Sequence, residues 1–461
     1  MFSRILAACL LLFAPATLPA SDALLKVGVA KVVITPTEPT WLSGYGGRTK
    51  PAEGKVHDLY AKALAFEGSG GTRFVFVTLD LGSVSDAEIT IPVAKAVESK
   101  FKLPRKSLVL NVSHTHCAPE VAVERPVFHS LTAPEEAKLA AYIREQLNPK
   151  LIDLIGAALK DLAPATVTMS ESSAGFASNR RLPKDGTFVN SQNPAGITDR
   201  SVPVLKFTDP TGKTLRAVLF GYACHNTTLS FQQYCGDYAG FAQEYVEAAH
   251  PGTVALFLMG CGGDQNPYPR HGPKGLEYCK QHGRELAEAV EKALTGTQSP
   301  VRGPLQVGYT VVTLELEPLP PTARLEAMAK GPAGLAQRKA KYLLDQIAKQ
   351  GKVELTQTCP LHAVRFGNDL LFIGISGETV LDYQLMCKKK FAGPKVLVAG
   401  YCDDVFAYLP SLRVLKEGGY EGREGIIHQL VPTPFAPNVE DRVMAGIREA
   451  VKMSGGSANR R

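Results

Sequence analysis

The stretch 107-SLVLNVSHTHCAPE-120 joins two signals. Its first half is a short apolar run rich in β-branched residues, the kind of strand that is buried on both faces of a sheet. Directly after it stand His114 and His116, two of only ten histidines in the chain. The same pairing of strand and polar cluster recurs. The runs 73-RFVFVTLDL-81, 214-TLRAVLFGYA-223, 253-TVALFLMG-260, 370-LLFIGIS-376 and 396-VLVAGY-401 read as further buried strands. The last four are followed by 224-CHNTT-228, 261-CGGDQNP-267, 377-GET-379 and 402-CDDVFAYLP-410. Helical periodicity covers 134–163, 275–295, 321–350 and 438–453. Strands alternating with helices predict an α/β fold: a layered, largely buried mixed sheet flanked by helices, with its site at the C-terminal ends of the strands. The more polar segment 163–215, with turn signals at 184-KDGT-187 and 209-DPTGK-213, predicts hairpins or an excursion from that sheet.

The 461 residues, 45% hydrophobic and 21% charged, have the composition of a globular protein. They carry no internal repeat and no long low-complexity linker. Residues 21–453 are therefore expected to form a single domain, with 317–360 as a helical insertion and 454–461 as a flexible tail. The formal charge of +7 comes from 51 basic and 44 acidic residues without a basic block, which gives no reason to expect nucleic acid as a partner. Residues 1–20, MFSRILAACLLLFAPATLPA, read as a secretory signal with a Leu-Pro-Ala cleavage site, and predict a secreted or periplasmic protein. No later segment is apolar for long enough to be transmembrane. Export permits disulfides among Cys117, Cys224, Cys235, Cys261, Cys279, Cys359, Cys387 and Cys402, with the pairing left open. None of these has Cys-x-x-Cys spacing, which speaks against a thiolate zinc site.

Ligands of open α/β sheets bind in the crevice beyond the carboxyl ends of the strands. Two histidines and a carboxylate form a catalytic zinc set that leaves a position for water. Imidazole and carboxylate donors also suit Zn²⁺ better than Mg²⁺. In an extended segment, side chains two apart point the same way. His114 and His116 then share the cleft, one as ligand and the other as acid/base or as a hydrogen-bond donor behind it. Each element also has a plainer reading. His225 fits a hydrogen-bonded core residue, Glu378 a cap on the following helix, and 261-CGGDQNP-267 a tight turn. Their coincidence at five strand ends favours a site.

Read in order, 44-GYGG-47, 113-SHTHCAPE-120, 179-NRR-181, 224-CHNTTLS-230, 263-GDQNP-267, 377-GET-379 and 408-YLPSLRVLKEGGYEG-422 resemble the catalytic domain of the neutral/alkaline non-lysosomal ceramidase family. The resemblance implies a zinc-dependent amidohydrolase acting on ceramide or a related N-acyl lipid, a small amphipathic substrate presented at a membrane surface. Carried over by motif, one catalytic Zn²⁺ is held by His114, His225, Glu378 and Tyr408. His116, Arg180 and Tyr420 surround the scissile carbonyl: Arg180 and Tyr420 meet the developing oxyanion, and His116 moves the proton. One position departs from the pattern. The family's Gly-Asp-x-Ser-Pro serine is Asn266 here. An amide cannot act as a nucleophile, but it can donate a hydrogen bond and orient water or the substrate amide. Likewise Cys117-Ala118-Pro119-Glu120 replaces the family's Ser-Gly-Pro-Gly and reshapes the cleft wall. These departures keep two other readings open: a zinc hydrolase with a different amide or ester substrate, and a non-catalytic binding protein on the same fold.

Overall fold

Two β-sheets pack face to face, and helices cover both outer faces. The computed structural model describes residues 25–121 and 131–456. The expected signal at 1–20 and the last residues of the expected tail, 457–461, lie outside them. The large sheet has the order β10-β9-β8-β5-β1-β2-β3-β4, with β12 beside β5. Its strands are β1 (Leu25–Val33), β2 (Tyr60–Glu67), β3 (Arg73–Leu79), β4 (Leu108–Val112), β5 (Ala163–Ser173), β8 (Ser201–Thr208), β9 (Leu215–Tyr222), β10 (Val254–Met259) and the short β12 (Ser299–Pro300). The second sheet has the order β13-β14-β15-β17, built from β13 (Leu305–Glu315), β14 (Thr356–Phe366), β15 (Leu370–Ile375) and β17 (Lys395–Ala399).

Alternation along the strands sorts the side chains between layers. In β3, Val75, Val77 and Leu79 face α1 (Ile91–Phe101), α3 (Asn148–Lys160), α4 (Asp237–Ala249) and α5 (Gly275–Thr295), while Phe74 and Phe76 face the second sheet. In β15, Leu371, Ile373 and Ile375 face α8 (Leu381–Lys390) and α11 (Val439–Met453), while Leu370 and Phe372 face back. Phenylalanine rings fill the interlayer, Phe66 against Phe366 at 5.3 Å and Phe76 against Phe372 at 5.4 Å. The expected helix-flanked mixed sheet is present. The reason the runs are apolar on both faces is a second sheet on one side and helices on the other. Of the other helices, α2 (Ala133–Ala141) precedes α3, while α6 (Thr322–Ala329) and α7 (Leu335–Gln350) lie between the antiparallel neighbours β13 and β14.

Three strand–helix–strand crossovers matter for function: β3-α1-β4, β9-α4-β10 and β15-α8-β17, each joining parallel neighbours. The polar segment 163–215 does contain a hairpin, β6 (Ala177–Lys184) and β7 (Thr187–Asn193), in a separate sheet with β11 (Gln265–Pro267). Its two-residue turn has Asp185 and Gly186 at φ 50° and 76°, the left-handed pair that a tight hairpin demands. A parallel bridge joins β16 (Glu378–Thr379) to β18 (Tyr408–Leu409), followed by α9 (Leu412–Glu417) and α10 (Gly419–Gly422). All eight described cysteines are buried free thiols. Among the described residues no helix is long and apolar enough to cross a membrane.

Candidate metal centre

The chain turns sharply as it leaves β4. His114 sits at φ 61°, a left-handed conformation in which histidine is enriched among non-glycine residues. This turn, and not strand alternation, brings the two rings together, with Nε2 of His116 3.2 Å from Nε2 of His114. The His114 Nδ1–H donates to the Gly82 carbonyl at 2.6 Å, and the His225 Nδ1–H donates to the Gly262 carbonyl at 2.7 Å. In each case one strand of a crossover supplies the imidazole, and the segment after its parallel partner supplies the carbonyl that fixes the tautomer. Both Nε2 atoms then present lone pairs to Glu378, whose Oε2 lies 3.2 Å from His114 and 3.3 Å from His225.

Glu378 is not a helix cap. It lies in β16, and the α8 N-terminus is met by Asp264, which accepts from the Leu381 N–H at 2.9 Å. Burial pushes the Glu378 carboxyl up, but His114 and His225 beside it more than offset this and hold it well below the usual carboxylate range. Burial draws His225 down to about 3, so its imidazole is neutral. Among the described residues, Glu378 Oε2 has no hydrogen-bond partner. Three buried donor atoms thus converge on one point, the arrangement that a cation satisfies. Their spacing also fits. Tetrahedral zinc with bonds of ~2.0–2.1 Å sets its donors ~3.3 Å apart. Among the described residues, His114, His225 and Glu378 are the one His/Cys/Asp/Glu group close enough to share an ion.

The other predicted residues gather around this cluster. The β16–β18 bridge pairs Glu378 with Tyr408, whose hydroxyl reaches 3.4 Å from His225 Nε2. Burial pushes its phenol well up, and Arg180 beside it pulls the other way. The Tyr420 ring lies 5.2 Å from that of Tyr408, and burial raises its phenol to about 12. Arg180 is delivered by the hairpin. Its Nε donates to Glu421 at 2.7 Å, its Nη1 donates to Asn266 at 3.2 Å, and its guanidinium lies 5.3 Å from the Tyr408 ring centre. Asn266 is buried, in register with Ser178 on β6. Its amide therefore faces Arg180, and its Nδ2 donates to Asn190 at 3.5 Å. His116 is neutral as well: burial and then His114 and His225 hold it far below its usual value.

Sequence reasoning missed four contributors. Glu421, 3% exposed, spans Arg180 and Arg181, each at 2.7 Å. The adjacent arginines of 179-NRR-181 were the available signal, since buried guanidinium groups require an acid. Asp264, inside 263-GDQNP-267, is buried, and the carbonyls of Gly82 and Gly262 carry no side-chain signature at all.

Residues 25–267 match the family profile described as neutral/alkaline non-lysosomal ceramidase, N-terminal. Two solved structures share the fold. A crystal structure of neutral ceramidase from Pseudomonas aeruginosa aligns with a TM-score of 0.71 at 18% identity, over 94% of this chain and 75% of that one. A structure described as ceramidase complexed with C2 aligns with a TM-score of 0.72 at 16% identity, over 95% and 77%. No curated protein matches the chain.

Proposed function

Because the chain belongs to the neutral/alkaline non-lysosomal ceramidase family, we propose that it is a zinc-dependent amide hydrolase, cleaving ceramide or a related N-acyl lipid to a fatty acid and an amine. The observation that carries this reading is the buried His114–His225–Glu378 set, whose three donor atoms lie close enough to share one ion and whose Glu378 Oε2 has no hydrogen-bond partner among the described residues. These three residues and Tyr408 would hold the ion. Zinc in such a set supplies Lewis acidity and lowers the pKa of water to about 7.

The remaining chemistry belongs to the chain. His116, buried with its Nε2 3.2 Å from that of His114, is placed to accept the proton of the attacking water. As the carbon–nitrogen bond breaks, it passes that proton to the departing amine. Among the described residues the Arg180 Nη2 has no partner, while Glu421 and Asn266 fix the rest of the guanidinium; Nη2 is the donor free for the developing oxyanion. Tyr420, with its phenol at about 12, keeps its proton at neutral pH and donates to the same oxygen. Asn266 acts through Arg180 rather than on the carbonyl carbon.

Asn266 favours one second reading, a related zinc hydrolase whose preferred substrate is another amide or an ester. Fluorescent ceramides assayed beside other N-acyl amines and esters, with chelator and zinc add-back, decide between the two. Ceramide left intact while another substrate is cleaved in a chelator-sensitive way rules out the first. If nothing is turned over and no stoichiometric zinc is present in the purified protein, the enzyme reading falls and a binding role remains. The substrate is proposed to be presented at a membrane surface by a secreted or periplasmic enzyme; N-terminal sequencing of the exported protein tests cleavage after Ala20.

A further inference from the structure

The insertion expected at 317–360 spans 316–355, because 356–360 already pair with β13 as part of β14; it interrupts an otherwise continuous β13–β14 hairpin, and the proposed chemistry uses none of its residues. Their contacts converge on one place. At the base of the insertion, Glu317 pairs with Arg423 through both oxygens, at 2.6 and 2.9 Å, and its backbone N–H donates to Pro434 O at 2.8 Å. The Thr433 hydroxyl donates to the Glu317 carbonyl at 2.6 Å. From α7, the Lys339 side chain runs inward, 5% exposed, and ends among backbone carbonyls. Its ammonium donates to Gln429 O, to Val431 O at 2.6 Å and to Ile426 O at 3.5 Å. Among the described residues no acid pairs with it, and burial draws its pKa down to about 7.

A buried ammonium without a counter-charge is expensive, and an apolar side chain would pack there at less cost. The three carbonyls it fastens belong to residues 426–431, immediately after Tyr420. That segment backs the site. A Cβ on Gly425 would stand 2.8 Å from the Tyr420 carbonyl and 3.0 Å from the Tyr408 ring, so the backbone there is seated directly against the tyrosines. His428 in the same turn lies 5.8 Å from the Tyr420 ring.

We propose that the 316–355 insertion is a strap that sets the position of the Tyr408–Tyr420 wall, and that Lys339 is the positioning residue that fastens it. The proposal rests on the roles given to Tyr408 and Tyr420 above. It concerns how those side chains are held, not which ions or substrates they meet.

The test compares Lys339→Met with Leu343→Ala in the zinc-loaded full chain. Leu343 is buried on the same helix, 3% exposed, and lies on the same packed face. Leu343→Ala should lower the melting temperature, whereas Lys339→Met, which exchanges an uncompensated buried charge for an apolar side chain, should not. Only Lys339→Met should lower kcat for a short-chain fluorescent ceramide by about tenfold, with KM within about twofold. Only it should speed amide exchange across 419–431, by about tenfold. If Lys339→Met tracks Leu343→Ala in both measurements, Lys339 is merely structural and the proposal is wrong. Faster exchange with unchanged kcat also overturns it. If the wild type turns over no substrate, the proposed function fails on its own, and exchange still reports whether the strap holds the segment. Should Lys339→Met fail to fold, Glu317→Ala carries the test, because its ion pair with Arg423 is part-exposed and its loss leaves the core intact.

Discussion

Replacing Glu378 with glutamine should have opposite signs in the metal-free and zinc-loaded protein. In the metal-free wild type, Glu378 Oε2 faces two imidazole nitrogens at 3.2 and 3.3 Å, and both rings already spend their Nδ1 protons on backbone carbonyls. At pH 8 the cluster is three acceptors in a buried space. A glutamine amide turned toward either ring donates a hydrogen bond where none existed, a gain of about 1 kcal/mol, and it removes a buried carboxylate. Glu378→Gln should therefore unfold at higher urea than wild type in chelator. With zinc the order reverses. Free zinc at about 1,000 times Kd stabilises the wild type by about 4 kcal/mol. A variant lacking the one charged donor of the His-His-Glu set should lose most of that increment. Urea titrations of both proteins, with chelator and with zinc, give the four numbers. If Glu378→Gln destabilises both forms equally, the lone-pair reading of this cluster is wrong and Glu378 is an ordinary hydrogen-bonded core residue.

His116→Asn should keep stoichiometric zinc while kcat falls ~10²–10⁴-fold, the range for a lost acid/base group; metal analysis beside steady-state kinetics checks both. Glu421→Gln removes the acid that Arg180 pairs with, while Arg181 keeps Glu417 at 3.1 Å, and should cost about 3–5 kcal/mol by urea denaturation, with a fall in kcat as Arg180 loses its hold. Asp264 is pushed by burial to about 6, above its unfolded value of 3.8. The folded protein then binds more protons between those values, so this residue lowers stability as pH rises through that window. Asp264→Asn, which still accepts from Leu381, should match the wild type below pH ~4 and exceed it by up to about 3 kcal/mol above pH ~6; urea melts across pH read the gap. Asn266→Ser should shift turnover toward ceramide over other N-acyl amines, measured as the ratio of kcat/KM values. An unchanged ratio would remove Asn266 from any account of selectivity.

Six buried strands, β3, β4, β9, β10, β15 and β17, were legible because both their faces are covered, and so were the long amphipathic helices; β2, buried along most of its length, was not. β1 and β13 were not, since each mixes covered and exposed positions, with Lys26 and Lys31 exposed in the first and Gln306 and Thr313 in the second. The sequence also suggested one sheet. Phe66, Phe74, Phe76, Phe366 and Phe372 meet across an interlayer, but apolar runs do not say whether a helix or a second sheet lies opposite. At the site, the His-Thr-His pair, His225 and Glu378 could be read from their places at strand ends. Tyr408 could not. Its approach to the cluster depends on a two-residue bridge between β16 and β18, which has no periodicity to detect, and it came only from the family resemblance. Arg180 stood in a segment correctly read as a hairpin, but nothing local showed that the hairpin folds back onto 264–267.

The site exists only while the two sheets hold a fixed relation. His114 and His225 ride on the large sheet, while Glu378 and Tyr408 follow strands of the small one or lie beside them. A shift of 1 Å between layers would take the donors out of reach of a common ion, because zinc–donor bonds tolerate only about ±0.2 Å. Phenylalanine packing alone sets spacing but not register. The register is stitched by polar groups at the same edge. Asn111, near the end of β4, accepts from Met259 N at 2.9 Å and donates to Gly400 O at 2.7 Å, tying both edges of the large sheet to the segment after β17. Asp403 accepts from Leu110 N at 3.0 Å, from Arg105 at 2.8 Å and from His362 on β14 at 2.6 Å, and Arg105 and His362 hold its carboxyl far below the usual range against burial. Both stitches lie within a few residues of His114 or of Tyr408 along the chain. The polar residues that follow the strands therefore have two tasks, and those that never approach the cluster fix the distance between those that do.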